Sequence, residues 1–270
     1  MDEPELRLLN LTHASSTSAI IRVDTRDLNT TTGRRSVRVE SKKQYDTGLF
    51  IFDVKHTPVG CSTWSMLSMK DRYSWPQNGE IDIVEAGNSA IVRSQVTLHT
   101  SDGCSMKRIR REQSGTTITN DCFSGSNNNS GCGVLGPRAA YGRPFNENGG
   151  GVYALEVRDD GIRAWVWARH ALPEDVQVTL ARGHTTPDPS AWGRATADFP
   201  NTRCTIWKDF RNMSIIANID LCGQRVARSE VFSAKESCPE DCIGFVNSAP
   251  GSAFKDAYWE FGGWWVFQSV

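Results

Sequence analysis

The sequence predicts an all-β sandwich or barrel, and three observations carry that prediction. Short segments alternate or run apolar over strand-like lengths. Clusters of Gly, Asn, Asp and Pro punctuate them as turns. No stretch shows a 3.6-residue apolar repeat of helical length. The chain has 270 residues, a size that all-β sandwiches reach as single domains and that buries a sizeable core.

Taken in order, the expected strands are Ser18–Asp24, Ser36–Ser41, Gly48–Asp53, Gly79–Glu85, Gly151–Val157, Ile162–Trp167 and Met213–Leu221. Residues Ala253–Tyr258 could make one short helical turn. Two long irregular segments interrupt the strands. Residues 101–150 are rich in Ser, Asn, Gly and Cys, and Arg182–Asn201 carries several Pro and Gly. Loops of that length in a compact domain often wall a functional site, so both are candidate walls. No linker, internal repeat or membrane-length apolar run is present.

Thirty basic residues face 31 acidic ones, a formal net charge of −1. A polyanionic partner would favour a basic surface, so nucleic acid is not expected. Nine tryptophans supply flat apolar faces suited to core filling and to stacking on sugar rings. Eight cysteines without a C-x-x-C pair point to disulfides in an oxidising compartment rather than zinc. Cys238 and Cys242 could close a small local loop, while Cys104, Cys122 and Cys132 fall in one stretch and are expected to staple it. Sequons at Asn10, Asn29, Asn128 and Asn212 agree with a secreted glycoprotein. Met1–Glu5 has neither a basic n-region nor an apolar core, so it does not read as a signal peptide.

The chemistry concentrates in Gly79-Glu80-Ile81-Asp82-Ile83-Val84-Glu85. In a regular strand Glu80 and Asp82 share a face, and Glu85 points to the other. A β-bulge between Asp82 and Glu85 adds one residue and returns Glu85 to the shared face. Three crowded carboxylates raise one another's proton affinity, an unfavourable arrangement for a purely structural strand. Retaining glycoside hydrolysis requires it: one carboxylate attacks the anomeric carbon, and a protonated one about 5–5.5 Å away serves the leaving oxygen. An exposed acidic strand or a metal site is the alternative for such a trio taken alone.

The hexapeptide Glu80–Glu85 resembles the bulged signature E-[ILV]-D-x-x-E of glycoside hydrolase family 16. Ser36–Lys42, Gly48–Phe50, Trp75–Glu80, Leu98–Cys104, Trp192-Gly193, Phe199-Pro200, Asn218–Gly223 and Ala257–Glu260 are similar, in order, to segments of its fungal laminarinase-like branch. The resemblance implies a concanavalin-like β-jelly-roll sandwich whose concave face holds a β-glucan, and endo-cleavage of β-1,3 or mixed β-1,3/1,4 linkages with retention. Carried onto matching positions, it makes Glu80 the nucleophile, Glu85 the general acid/base and Asp82 the assisting residue. It places Trp75, His99, Trp64 and Arg38 at the substrate. No cofactor and no metal are expected, since no HExxH or paired Cys/His spacing appears. The expected partner is a β-glucan polysaccharide or oligosaccharide met by a monomer, outside the cell or in its wall, with no membrane contact.

The sequence departs from the family pattern at Ser68 and Arg225, where relatives carry aromatics. Relatives also carry N-terminal strands for which residues 1–270, read as one catalytic domain, show no counterpart; exposed sheet edges would follow. A glucan-binding protein on the same fold and a cell-wall transglycosylase are the alternatives. Retention of all three acids argues against a mere binder. In a transglycosylase a sugar hydroxyl replaces water in the second half-reaction, with the same residues.

Overall fold

The computed structural model describes residues 3–26, 33–88, 93–183, 185–223, 238 and 241–268. The strands along these residues are β1 Thr12–Ala14, β2 Ala19–Arg22, β3 Arg38–Tyr45, β4 Gly48–His56, β5 Thr63–Lys70, β6 Glu80–Gly87 and β7 Gln95–His99. They continue as β8 Thr116–Thr117, β9 Cys132–Leu135, β10 Gly151–Arg158, β11 Gly161–Ala168, β12 Ala197–Pro200, β13 Met213–Leu221 and β14 Tyr258–Phe267. Two seven-stranded sheets result, ordered β1-β2-β14-β4-β10-β11-β12 and β3-β13-β5-β6-β7-β9-β8. The ladders are antiparallel and join strands distant in sequence, which makes the fold a β-jelly-roll sandwich. Each expected strand forms, with Met213–Leu221 at the predicted bounds and the others shifted or extended by a few residues. Strands β1, β5, β7, β8, β9, β12 and β14 have no counterpart among the expected strands.

The core between the sheets follows from period-two alternation. Phe50, Phe52 and Val54 of β4, Tyr153, Leu155 and Val157 of β10, and Trp259 and Phe261 of β14 meet Leu67, Met69, Ile81, Val84, Leu98, Ile215 and Ala217 of the second sheet. The alternate residues of β4, Leu49 and Ile51, are also buried, but against Val152, Ala154, Trp165, Val176 and Trp192 on the outer face of the first sheet. This second core explains why Gly48–Asp53 reads as a continuous apolar run.

A helix over Glu174–Arg182 covers that outer face, contrary to the expectation of no helix beyond one turn. Its signals were short but present: Pro173 at the N-cap, Glu174 and Asp175 in the first turn, and Gly183 in a left-handed C-cap. Val176 and Leu180, four apart, pack beneath it. The segment Arg182–Asn201 lies against the same outer cluster through Trp192 and Ala195. It is therefore support for the outer face and not a wall of the acidic site. The helical turn near the C-terminus is a 3-10 turn at Gly251–Phe254, earlier than expected, because Tyr258 already begins β14.

The disulfides join Cys61–Cys238, Cys104–Cys204, Cys122–Cys132 and Cys222–Cys242. The expected local Cys238–Cys242 loop is thus corrected: both cysteines reach back to the strand β5 and β13 termini instead. Cys122–Cys132 staples its own stretch as expected, whereas Cys104 ties that stretch to the segment after β12. Asn29 and Arg225 lie outside the described residues.

Candidate active site

All eight residues of β6 are buried, yet three of them are carboxylates. The bulge reconciles these facts. Against β5, Val84 pairs with Leu67 and Asp82 with Ser68, leaving Ile83 as the extra residue. Against β7, Asp82 pairs with Thr97 and Glu85 with Gln95, three steps on β6 against two on β7. Ile81, Ile83 and Val84 join the core, so Glu80, Asp82 and Glu85 share the opposite face, as the sequence predicted. Gly79 precedes them with φ +71, and a Cβ there would collide with the Asp209 carbonyl. Only glycine fits this entry into the strand.

Each acid has a partner from a neighbouring strand. Lys70, directly opposite Glu80 in the β5–β6 ladder, donates to both of its oxygens at 3.2 and 3.4 Å. His99 Nε2 lies 3.2 Å from Asp82 Oδ2. The indole N–H of Trp64 donates to Glu85 Oε1 at 3.1 Å. Asp82 Oδ1 is buried and has no hydrogen-bond partner.

The electrostatics reinforce this order. Burial first, then the charge of Glu80 and, less strongly, that of Glu85, pushes Asp82 up to about 7 against the pull of His99. Burial would lower His99, but the hydrogen bond and charge of Asp82, with Glu80 and Glu85 behind it, raise it to about 9. At mildly acidic pH the site therefore holds a proton on Asp82 and a charge on His99. A buried carboxylic acid kept neutral in this way is a hydrogen-bond donor.

The remaining expected residues occupy the same sheet or its rim. Trp75, in the connection between β5 and β6, is 37% exposed and lies 4.6 Å from the Lys70 ammonium, ring centroid to nitrogen. Trp64 is half-buried; its ring packs on Gly223, where an added Cβ would stand 2.6 Å from Cε3. Arg38 opens β3 opposite Asn218 of β13, which faces Met66 and in turn Glu85. Three strand spacings separate Arg38 from Glu85, roughly 14 Å, so Arg38 is on the acids' face but out of their reach. Ser68 is buried opposite Asp82.

Three polar residues of this face escaped sequence reasoning. Lys70 requires knowing that β5 exists and how it registers on the bulge. Asn129, at the end of a 3-10 turn in the long 101–150 segment, contacts His99 Nδ1 through Oδ1 at 3.0 Å; that segment does wall the site. Asn218 is 1% exposed, and neither amide atom has a partner. Its signal was a polar residue at an alternate position of a strongly apolar strand. Among the described residues, the tight group of potential metal ligands is Cys104, Cys204 and Asp209, and its two sulfurs are joined in a disulfide.

Comparison with known proteins gives a consistent answer. The family described as "XgeA-like, catalytic GH16 domain" matches residues 3–267. A probable glycosidase of Schizosaccharomyces pombe is 39% identical over 272 residues, covering 99% of this chain and 62% of that protein. An endo-1,3(4)-β-glucanase of Arthroderma benhamiae is 35% identical, over 99% of this chain and 58% of that protein. The chain thus spans about three-fifths of the length of these relatives. Among solved structures, GH16 Laminarinase 16A from Phanerochaete chrysosporium, with 6-O-glucosyl-laminaritriose in its donor and acceptor sites, superposes with a TM-score of 0.92. It is 38% identical, over 99% of this chain and 89% of that one. An elongating family 16 β-1,3-glucosyltransferase gives 0.87 at 33% identity, over 100% of this chain and 89% of that one. A bulged acidic strand on a jelly-roll sandwich and a match along nearly the whole sequence lead to one conclusion: the chain belongs to glycoside hydrolase family 16.

Proposed function

We propose that this chain is a retaining endo-β-glucanase acting on internal β-1,3 or mixed β-1,3/1,4 linkages. The observation that carries the reading is the bulge at Ile83, which brings Glu80, Asp82 and Glu85 onto one face. In the first step a Glu80 oxygen bonds to the anomeric carbon from one side. The bond from that carbon to the leaving oxygen breaks, and Glu85 gives that oxygen its proton. In the second step Glu85 takes a proton from water, whose oxygen displaces Glu80 and restores the original configuration. Protonated Asp82, steadied by His99 through the other oxygen, offers a hydrogen bond to the neighbouring carboxylate and eases its charge. Trp75, Trp64 and Arg38 contact the glucan along the same face. The relative named endo-1,3(4)-β-glucanase and the laminarinase holding a β-glucan support this substrate class.

Four disulfides favour action outside the cell or in the wall, and the near-zero net charge suits an uncharged polysaccharide bound by a single chain. Among the described residues no helix is long and apolar enough to cross a membrane. A second reading is transglycosylation, favoured by the likeness to an elongating β-1,3-glucosyltransferase; there a sugar hydroxyl takes the place of water. The test incubates the protein and Glu80→Gln with laminarin, barley mixed-linkage glucan and cellulose. Short oligosaccharides from laminarin or barley glucan, absent with the variant, support hydrolysis. Products longer than a laminari-oligosaccharide donor support transfer. Silence from a folded protein on every substrate overturns both.

A further inference from the structure

The three acids of β6 differ in what holds them. Asp82 is tied to a histidine and Glu85 to an indole, both groups that a cleft can carry without filling it. Glu80 is tied to a lysine, and the ammonium of that lysine has a second neighbour. Its ammonium lies 3.2 Å from Glu80 Oε2 and 3.4 Å from Oε1, and 4.6 Å from the Trp75 ring centroid. The contact has a structural cause. On β5 the residues Trp64, Met66, Ser68 and Lys70 share the face of the acids, because Leu67 and Met69 between them enter the core. The register shift between Leu67 and Ser68 then sets Lys70 directly across from Glu80. The lysine side chain is 25% exposed and the glutamate 12%, so this pair is neither a loose surface contact nor a fully dehydrated one.

We infer that Lys70 is a positioning residue for Glu80, locking the carboxylate's orientation and anchoring it to the aromatic rim at Trp75. The inference rests on the reading of Glu80 as the attacking group. Other charges that face Glu80 are Asp82 and Glu85 from its own strand and His99 from β7. The two acids repel it, and His99 is engaged by Asp82. Among the described residues, Lys70 is the cation that donates directly to it. An attacking carboxylate must present one oxygen to the anomeric carbon within a narrow angle, and a small misplacement lowers the rate steeply. Lys70 supplies that constraint from a strand, not a loop. Its cation also works against the positive charge that develops on the sugar, so the net effect on rate is a measurable balance of orientation against repulsion. The cation–π contact holds the ammonium beside the ring.

The test compares wild type, Lys70→Met and Lys70→Arg on a laminari-oligosaccharide. Alongside turnover, each protein is exposed to an activated 2-deoxy-2-fluoro-β-laminaribioside. Its anomeric carbon bonds to the attacking carboxylate as the leaving group departs with its electron pair, and peptide mass mapping locates the label. Lys70→Met is expected to lower kcat and the labelling rate on Glu80 together, by about tenfold to a hundredfold, with KM changed far less. Lys70→Arg is expected to restore most of both rates. A merely structural lysine would lower the melting temperature without this kcat-against-KM split. Labelling and turnover at wild-type rates in Lys70→Met, or faster ones, overturn the inference while leaving the enzyme reading in place. A wild-type protein that neither turns over nor takes the label overturns both.

Discussion

The indole N–H of Trp64 donates to Glu85 Oε1 across the β5–β6 ladder at 3.1 Å, so an aromatic expected to contact the glucan also holds the proposed acid/base. Gly223, with φ +81, lies against the six-membered ring of that indole. Cys222–Cys242 and Cys61–Cys238 share a cluster with it. The ring is therefore fixed from behind. Trp64→Phe keeps an aromatic face and removes the donor. A hydrogen bond to a neutral carboxylic acid contributes about 0.5–1.5 kcal/mol, so kcat is expected to fall about twofold to tenfold with a small change in KM. Steady-state kinetics on laminarin oligosaccharides check it; a rise in KM alone would make Trp64 only a stacking surface.

Glu80 and Glu85 are expected to fail differently. Glu80→Gln removes the attacking atom, and turnover drops by several orders of magnitude on every substrate. Glu85→Gln removes proton donation, a loss of about 10²–10⁴-fold. That loss should shrink in the first step for an aryl β-glucoside whose leaving group needs no proton. Pre-steady-state release of the aryl group measures it. Equal deficits of the two variants on natural and aryl substrates would contradict the division of roles.

The acidic strand was legible because its spacing, five residues from Glu80 to Glu85, is unfavourable without a bulge and useful with one. The partners of those acids were not legible. Lys70 faces Glu80 only through a register fixed by Ile83 and by the turn around Trp75, and neither is encoded in β5 itself. Asn129 reaches His99 from a long polar segment in which no asparagine stands out from its neighbours. Residues Glu174–Arg182 were missed because one buried and one partly buried apolar position, Val176 and Leu180, make too short a pattern for a helix in a chain of strands. The outer cluster that gives them a reason to fold is assembled from β4, β10 and β11.

Disulfide pairing was equally hidden, since eight cysteines allow 105 pairings. The observed pairs now rank by loop length. Cys104–Cys204 spans a sequence separation of 100, and Cys122–Cys132 one of 10. Loop-closure entropy alone makes the longer link more stabilising by about 2 kcal/mol. The double variant Cys104→Ala with Cys204→Ala should thus lose more stability in urea than Cys122→Ala with Cys132→Ala. The reverse order would mean that native-state packing around Asn129 and His99 outweighs chain entropy.

The Asp82–His99 pair should make the fold less stable as pH rises from about 4 to 9, against the opposite pull of His56, which burial lowers from 6.5. Asp82 is raised from 3.8 to about 7 by burial and the nearby acids. Between those values the folded chain keeps a proton that the unfolded chain has released, so each step up in pH destabilises the fold. His99 is raised from 6.5 to about 9 despite its burial, by Asp82 and the other acids. Its contribution is fully present below 6.5 and is lost as pH climbs through 9, up to roughly 3 kcal/mol for a shift of that size. His99→Gln should flatten the upper part of the decline; Asp82→Asn should flatten the lower part and, because Asp82 is what chiefly raises His99, much of the upper part too. Activity should follow the Asp82 proton as well: wild-type turnover weakens above pH 7, where Asp82 ionises beside Glu80. Asp82→Asn, neutral at every pH, keeps a lower but flatter profile through that region. Urea denaturation and kcat at pH 4.5, 6.5 and 8.5 test both halves. A wild-type stability maximum at pH 8.5, or an alkaline limb near 7 that persists in Asp82→Asn, would detach the buried pair from both effects.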